Sequence, residues 1–321
     1  MSITFGLFVP QGWKMDLVGI PDPIAQYEAM TAVAKEADKG PWDSVWVYDH
    51  FHTVPEPTME TTFECWTVSA TLARDTERVR IGQMVGCNGY RNPALYAKIA
   101  STVDVASHGR LNAGIGAGWY EHEWRAYGYG FPEVPERMGM FREAVQIIHK
   151  MWTEDRPTFQ GKRYAIDGPI NEPKSAIPGQ KVQLWIGGGG EKVTLKLVAQ
   201  YADACNVGRE PDHCRHKLEV LKRHCDDVGR DYDSIIRSAE ADVVLLRDGD
   251  DPEAATAHLR GDQSYAEFAR GRVIGNPEQV RAHMAAMEDA GIDYVIVYMK
   301  NLAHDREPIG RFAEEIIPAF A

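Results

Sequence analysis

Two patterns of apolar and polar residues alternate along the whole chain. Short runs rich in β-branched and aromatic residues are typical of buried strands, whereas apolar residues spaced three and four apart are typical of helices. The first pattern predicts eight strands: Ile3–Pro10, Ser44–His50, Val79–Val85, Arg110–Gly118, Val182–Ile186, Ala204–Val207, Ile235–Leu246 and Asp293–Met299.

Helical spacing fills most of the intervals between these strands. The predicted helices are Ala25–Lys39, Thr61–Arg74, Pro93–Ser107, Pro135–Glu154, Glu191–Tyr201, Asp212–Val228, Pro277–Ala290 and Ile309–Phe320. Two stretches fit neither pattern. Residues 155–181 contain four prolines and three glycines, and residues 247–276 are polar and irregular, so we expect both to be excursions outside the regular units.

Eight strands that alternate with helices predict a (β/α)8 TIM barrel with insertions, formed by residues 1–321 as a single domain. A doubly wound open sheet is the alternative, but that architecture rarely needs eight such units. A TIM barrel carries its site at the C-terminal ends of the strands and in the loops that follow them. The candidate residues are therefore those that follow each predicted strand.

Composition limits the kinds of molecule that the protein is expected to bind. The chain has 321 residues and a formal net charge of -12, which argues against nucleic acid or an anionic membrane as the main partner. Its five cysteines are widely spaced without a C-x-x-C pair, as expected for reduced thiols. No apolar run approaches the length of a membrane span. We expect a cytoplasmic protein with a small-molecule substrate.

Four consecutive glycines, Gly187, Gly188, Gly189 and Gly190, follow a predicted strand and precede a predicted helix. Glycines let backbone N–H groups approach an anion, and a helix N-terminus favours negative charge. A phosphate-binding loop is the favoured interpretation, and a flexible tight turn is the alternative. The glycines of Gly114-Ile-Gly-Ala-Gly118 match a dinucleotide fingerprint only weakly. We interpret them as room for a flat ring, with close packing of strands as the alternative.

Asp49 and His50 end the second predicted strand. A carboxylate beside an imidazole at the opening of a barrel is a candidate proton-handling pair, because imidazole titrates near neutral pH. The alternative is a structural cap. His50 and His52 also have a spacing found in metal sites. A catalytic metal needs further ligands, and the later strand ends offer Asn206, Arg209, Met299 and Lys300 instead. We therefore predict no metal site.

Three blocks together resemble the luciferase-like monooxygenase superfamily. They are Ile81-Gly-Gln-Met-Val-Gly-Cys-Asn-Gly-Tyr-Arg-Asn-Pro-Ala-Leu-Tyr-Ala-Lys98, Thr102-Val-Asp-Val-Ala-Ser-His-Gly-Arg-Leu111 and Gly114-Ile-Gly-Ala-Gly-Trp-Tyr-Glu-His-Glu123. Trp46-Val-Tyr-Asp-His50, Leu184-Trp-Ile-Gly-Gly188 and Gly275-Asn-Pro-Glu-Gln279 are also similar. The resemblance spans essentially the whole chain and is strongest to actinobacterial oxidoreductases that use the deazaflavin coenzyme F420.

This resemblance implies a bacterial luciferase-like barrel with an isoalloxazine-type ring bound at its top. The cofactor would be coenzyme F420, with FMN as the alternative, because both share a ring and a phosphate. His50, beside Asp49, would lie near the reactive ring carbon, and a bulge that often contains a non-proline cis peptide would support the ring. The implied cofactor-binding residues are Met84, Val85, Gly86, Asn88, Trp119, Tyr120, His122 and the glycine loop, Gly187–Gly190. We also expect a homodimer.

The expected function is hydride transfer between F420 and a small organic substrate, in which the cofactor carries the redox chemistry. Sugar-phosphate dehydrogenases of the superfamily have a glutamate where this chain has Trp119, which argues against a sugar-phosphate substrate. Two alternatives remain open. One is an FMN-dependent monooxygenase supplied with reduced flavin by a partner reductase, and the other is a cofactor-binding protein without catalytic activity.

Overall fold

Eight parallel strands form a closed barrel in the computed structural model, which describes residues 2–321. Each strand pairs with the next along the chain, and the last pairs with the first through Thr4 and Tyr294. The barrel strands are β1 (Thr4–Phe8), β2 (Ser44–Val47), β3 (Arg80–Gln83), β4 (Leu111–Gly116), β5 (Gln183–Gly187), β6 (Ala204–Asn206), β7 (Ile236–Leu245) and β8 (Tyr294–Tyr298). The predicted TIM barrel is confirmed.

Helices cover the outside of the barrel. The main helices are α1 (Pro23–Lys39), α2 (Cys65–Asp75), α3 (Pro93–Ala106), α4 (Val134–Thr153), α5 (Thr194–Tyr201), α6 (Pro211–Val228), α7 (Pro277–Asp289) and α8 (Glu307–Glu315). Local sequence explains where they begin. The Asn276 side chain accepts a hydrogen bond from the amide of Gln279, and the Gln279 side chain accepts one from the Asn276 amide. Asp22 caps α1 in a similar way, ahead of a proline in its first turn.

Both segments expected to be irregular contain regular structure. Within residues 155–181, Thr158–Gln160 and Ala165–Asp167 form an antiparallel hairpin. Within residues 247–276, Val273–Gly275 pairs in parallel with the end of β7. Three short helices precede that strand, at Pro252–Ala255, Ala257–Arg260 and Tyr265–Ala269. The sequence pattern missed these elements because the surrounding residues, rich in proline and glycine in the first segment and polar in the second, interrupt both patterns.

Large aromatic side chains fill the interior of the barrel. Trp46, Trp185 and Tyr294 pack edge to face, with ring centroids 4.7 Å apart for the two indoles and 5.2 Å apart for Trp185 and Tyr294. Glycine at position 82 makes this possible, because a Cβ atom there would overlap the Trp46 indole. The Trp46 indole therefore fills the space next to Gly82 on the inner side of β3.

No helix among residues 2–321 is both long and apolar enough to cross a membrane. All five cysteines are free and buried. The homodimer and the cytoplasmic location stay predictions.

We predict that Gly82→Ala lowers the free energy of unfolding by about 1–3 kcal/mol, because the new methyl group overlaps a packed indole. Gly310→Ala is the matched control. Nothing lies within 4 Å of a Cβ at position 310, which is on α8, so this change should raise stability by up to about 1 kcal/mol. Urea unfolding of both variants is the measurement. Equal stability of the Gly82 variant and the unchanged protein would contradict the packing described here.

Candidate active site

A cavity of about 480 Å³ opens at the C-terminal ends of the barrel strands. We call it the mouth cavity. Its walls come from the ends of β1 to β7 and from the loops that follow them. The residues that line it are Trp13, Tyr48, Asp49, His50, Met84, Val85, Gly86, Cys87, Tyr90, Gly116, Ala117, Gly118, Trp119, Tyr120, Gly187, Gly188, Thr194, Asn206, Arg209 and Glu240. This is the end of the barrel where TIM-barrel proteins carry their sites.

A bulge interrupts the third strand on one wall of this cavity. The peptide bond between Met84 and Val85 is cis, and pairing resumes at the two-residue strand Gly86–Cys87. The predicted bulge is thus present at the expected residues. The side chain of Val85 is seated against two glycines of the next strands: a Cβ atom at Gly116 or Gly187 would come within 2.7 or 2.8 Å of it.

The glycines of β4 are therefore required by packing against this bulge. A Cβ atom at Gly114 would overlap the Gln83 carbonyl, and one at Gly116 would press on Val85. The alternative interpretation of this run, close packing of strands, is the one that the geometry supports. Gly118 has a positive φ of 81°, and its Cβ atom would meet the Cys87 sulfur at 2.6 Å.

The glycine loop begins next to the bulge, where Gly187 packs against Val85. Gly187 and Gly188 line the cavity, and Gly188 has a φ of 116°, which favours glycine. The Gly188 amide already donates to the Asn206 carbonyl, at 3.0 Å. Within the described part of the chain, residues 2–321, the amides of Gly189 and Gly190 donate no hydrogen bond. Those two amides are the ones available to an anion.

The helix after the glycine loop begins at Thr194, three residues later than predicted. A turn intervenes, and Thr194 itself reaches the cavity wall. Gly189 and Gly190 are not part of that wall; a Cβ atom at Gly189 would meet Lys217, and one at Gly190 would meet Thr194. The loop therefore reaches the cavity through its first half, and the prediction that four glycines open a helix directly is wrong.

His50 faces the cavity and is held from behind by a buried carboxylate. Its Nδ1 atom is 2.8 Å from Glu123 Oε2, and the Glu123 side chain has no exposed surface. Because an ionised carboxylate only accepts hydrogen bonds, Nδ1 carries the proton and Nε2 is left for a ligand. Trp13 stacks on the imidazole, with ring centroids 4.1 Å apart and planes 4° from parallel.

Glu123 is an anion with a full set of donors. Tyr90 donates to it at 2.7 Å, and the amides of Phe51 and His52 donate at 2.7 and 2.9 Å. Burial alone would raise the pKa of this carboxyl. The hydrogen bonds from His50 and Tyr90 and the attraction of the imidazole outweigh burial, so the pKa of Glu123 lies below its ordinary value.

The predicted pairing of Asp49 with His50 does not form. The Asp49 carboxylate accepts hydrogen bonds from Arg91, at 2.6 and 3.0 Å, and from the Cys87 amide, at 2.7 Å. Successive residues of an extended strand point to opposite sides, so neighbours in sequence are not partners in space. Asp49 instead ties the end of β2 to the bulge. Arg91 also binds Glu64, and the carboxylates around this guanidinium raise its pKa.

Other predicted residues divide between the cavity wall and positions outside it. Trp119 and Tyr120 form a stacked pair on the wall, and Trp119 is 62% exposed. His122 lies outside the wall, with its Nδ1 atom 3.0 Å from that of His52. Asn88 is buried away from the lining, although it was predicted to bind the cofactor. Neither residue lines the mouth cavity, and their assignment to the cofactor stays a prediction.

The histidines near the mouth have other uses than metal binding. His50 is bound to Glu123, and His52 contacts His122. Among residues 2–321, no group of three or more His, Cys, Asp or Glu side chains is arranged to hold a metal ion.

The far wall of the mouth cavity carries charge that the sequence did not single out. Arg209 follows β6 and donates from Nη2 to Glu240 Oε2 on β7, at 2.7 Å.

Glu123 was quoted in the resemblance but was not assigned a role. Its pairing with His50 joins residues 73 apart, which no local pattern can signal. Tyr48 and Trp13 also line the cavity. The Tyr48 Oη atom and the Trp13 Nε1 atom have no hydrogen-bond partner among residues 2–321.

Fold and site together define a TIM-barrel protein with a small-molecule site at its strand ends. Residues 3–272 match the model of one family, and the chain belongs to that family, the luciferase-like monooxygenases. The resemblance found in the sequence is confirmed.

Relatives and solved structures are similar over nearly the whole chain. An F420-dependent glucose-6-phosphate dehydrogenase from Kineococcus radiotolerans is 31% identical over 320 residues, covering 89% of this chain and 90% of its own. An F420-dependent secondary alcohol dehydrogenase, solved with an F420-acetone adduct, has a TM-score of 0.80, 22% identity and full coverage of both chains. The oxygenating constituent of 3,6-diketocamphane monooxygenase from Pseudomonas putida, solved with FMN, has a TM-score of 0.79, 16% identity, and covers 100% of this chain and 99% of its own. These two structures share the fold.

We predict that Glu123→Gln destabilises the protein by about 1–3 kcal/mol at pH 7, the usual result of disturbing a buried charged hydrogen-bond network. The pKa of Glu123 is lower in the folded chain, so its stabilisation is present above its unfolded value of 4.5 and is lost as pH falls through the folded value. The stability difference from the unchanged protein should therefore shrink below about pH 4.5.

Urea unfolding near pH 7, 5 and 4 measures this dependence. Glu121→Gln, on the exposed face of the short helix Glu121–Ala126 that also contains Glu123, is the matched control and should change stability by about 0.5 kcal/mol or less. A stability difference that grows as the pH falls would contradict the assignment of an ionised Glu123.

Proposed function

We propose that this protein is an F420-dependent oxidoreductase that transfers a hydride between the deazaflavin and a small organic substrate. The observation that carries the proposal is His50, which lines the mouth cavity beside the bulge while Glu123 holds its Nδ1 atom. Membership of the family supports it, as do the F420-dependent relatives from Kineococcus radiotolerans and Amycolatopsis mediterranei.

The residues around the mouth cavity fit this cofactor. The bulge residues Met84, Val85 and Gly86, with the glycines at the ends of β4 and β5, form one wall of the cavity, against which the face of a flat ring would lie. The glycine loop offers the amides of Gly189 and Gly190 for a phosphate. When bound, the deazaflavin supplies a ring carbon that accepts or gives a hydride.

His50 would handle the proton that accompanies the hydride. In the oxidising direction, a substrate alcohol loses its carbon-bound hydrogen with both electrons and gives its hydroxyl proton to Nε2, leaving a carbonyl product. In the reducing direction the protonated imidazole returns that proton to the carbonyl oxygen. Glu123 stabilises the charged imidazole from behind, and Trp13 stacks over it and limits access of water.

We do not extend the sugar-phosphate substrate of the relatives to this chain. Trp119 occupies the position where the resemblance places a glutamate in sugar-phosphate dehydrogenases. Its indole is a broad apolar surface at the mouth and cannot transfer a proton to the substrate. A substrate with an apolar section beside the reacting carbon fits this wall better.

A two-component FMN-dependent monooxygenase is the second candidate. The likeness to the FMN-bound oxygenating constituent of 3,6-diketocamphane monooxygenase favours it, at the level of fold. Oxygen consumption separates the two candidates, because reduced deazaflavins react poorly with oxygen.

We predict that the purified apoprotein binds F420 markedly more tightly than FMN, because the F420-dependent relatives are similar over the whole barrel. Equilibrium titration with each cofactor is the measurement. Micromolar binding of FMN with no binding of F420 would reverse the order of the two candidates.

We predict that His50→Ala lowers turnover on the order of 10²–10⁴-fold, the usual scale for a general acid or base. Cofactor affinity should change much less, because the bulge and the glycine loop are intact. His258→Ala, which removes an exposed histidine that does not line the mouth cavity, is the control. Near-normal turnover of folded, cofactor-saturated His50→Ala protein would remove His50 from the mechanism.

A further inference from the structure

A second cavity lies beyond the far wall of the mouth cavity. Its volume is about 450 Å³, and we call it the distal cavity. The two cavities share Arg209 and Glu240, so the ion pair between these side chains forms the partition. The distal cavity continues past the partition along the end of β7 and reaches residues 271–274 and the first turns of α7.

Asp242 is one of the residues that line the distal cavity. It is two residues beyond Glu240 on β7, so both side chains project from the same face of the strand, about 7 Å apart along it. Asp242 is only 7% exposed. Its Oδ2 atom is 3.2 Å from Arg272 Nε, whereas Oδ1 accepts no hydrogen bond within residues 2–321.

A buried carboxylate oxygen without a donor is unfavourable, because the water that it lost on folding has not been replaced. Burial raises the pKa of Asp242, while the nearby charges of Lys14 and Arg272 oppose that rise. His283, on the opposite side of the cavity, also has a buried ring nitrogen, Nε2, with no partner among residues 2–321. Both atoms could be satisfied by one ligand that donates hydrogen bonds.

The charges around the distal cavity disfavour an anionic ligand. Three carboxylates line it, those of Glu210, Glu240 and Asp242, against two guanidinium groups, and the charges of Lys14 and Lys300 also act on Asp242 from outside the lining. Arg209 is hydrogen-bonded to Glu240, and Arg272 is ion-paired with Asp242, although Arg272 Nε donates no hydrogen bond within residues 2–321. A carboxylate or phosphate that entered would have to break one of these pairs and leave a second anion uncompensated.

We infer that the distal cavity binds the far end of the substrate, and that this end carries a hydroxyl or ammonium donor for Asp242 Oδ1. The inference rests on the proposed function for the reacting end, which lies beside His50. The substrate would then be a secondary alcohol, or the corresponding ketone, with an apolar middle section and a terminal O–H or N–H group. The Arg209–Glu240 pair between the cavities would line the passage.

Matched alcohols test this inference. A series based on 2-octanol keeps the reacting end constant and changes the terminus: methyl in 2-octanol, hydroxyl in 1,7-octanediol, ammonium in 8-amino-2-octanol and carboxylate in 7-hydroxyoctanoate. Six- and ten-carbon versions allow for the unknown path length. Binding is followed by ligand-observed NMR with and without F420, and kcat/KM by the loss of F420 absorbance.

We expect the hydroxyl and ammonium compounds to exceed the methyl compound in affinity and kcat/KM by about 10-fold or more, the scale of a hydrogen bond to a charged group. The carboxylate compound should not exceed the methyl compound. Asp242→Asn should abolish the preference for ammonium, and Asp242→Ala should abolish the preference for both donors. Unchanged F420 binding and unchanged use of 2-octanol would show that these variants are folded.

Asp212→Asn is the control for charge, because it makes the same change at an exposed position outside both cavities and should keep every preference. A preference for the carboxylate, equal binding of all termini, or no binding of any compound would each overturn the inference. Failure to bind F420 would instead contradict the proposed function, and the NMR comparison without cofactor would still report on the distal cavity.

Discussion

Glu123 is a buried carboxylate that determines the arrangement of one side of the barrel mouth. It accepts hydrogen bonds from an imidazole, a phenol and two consecutive backbone amides, which come from the loop after β2 and from the segment after the bulge. A buried charge is tolerated only when it is saturated in this way. Each of its four donors is consequently fixed in position, and the loop after β2 is attached to the short helix Glu121–Ala126.

Asp49 has a similar structural role on the opposite side of the chain at the end of β2. It binds Arg91 and the Cys87 amide, and so holds the residue that follows the bulge. Two neighbouring residues thus serve opposite surfaces: Asp49 supports the wall against which a ring would lie, and His50 faces the ligand. This division follows from the alternation of side chains in an extended chain. Disturbing one carboxylate should leave the other network in place.

The sequence was sufficient for those features that depend on pattern over many residues. Alternation predicted all eight barrel strands, and the resemblance predicted the bulge at Met84 and Val85. Features that depend on contacts between distant segments were not predictable. The partner of His50 is 73 residues away, and Asp49, next to it in the chain, points elsewhere. The late start of α5 at Thr194 was missed because a run of glycines contains no signal for where a helix begins.

The packing of Val85 between Gly116 and Gly187 has a consequence for which residues of this fold can change during evolution. Three strands are interlocked at this point, so a larger residue at either glycine would displace the bulge itself. The exposed indole of Trp119, by contrast, projects from a loop and supports no other segment in this way. The packing of the barrel therefore constrains the wall formed by the bulge, whereas the loop that carries Trp119 is free to change. New substrates can be acquired on this scaffold by changes to loops alone, without any loss of the redox chemistry.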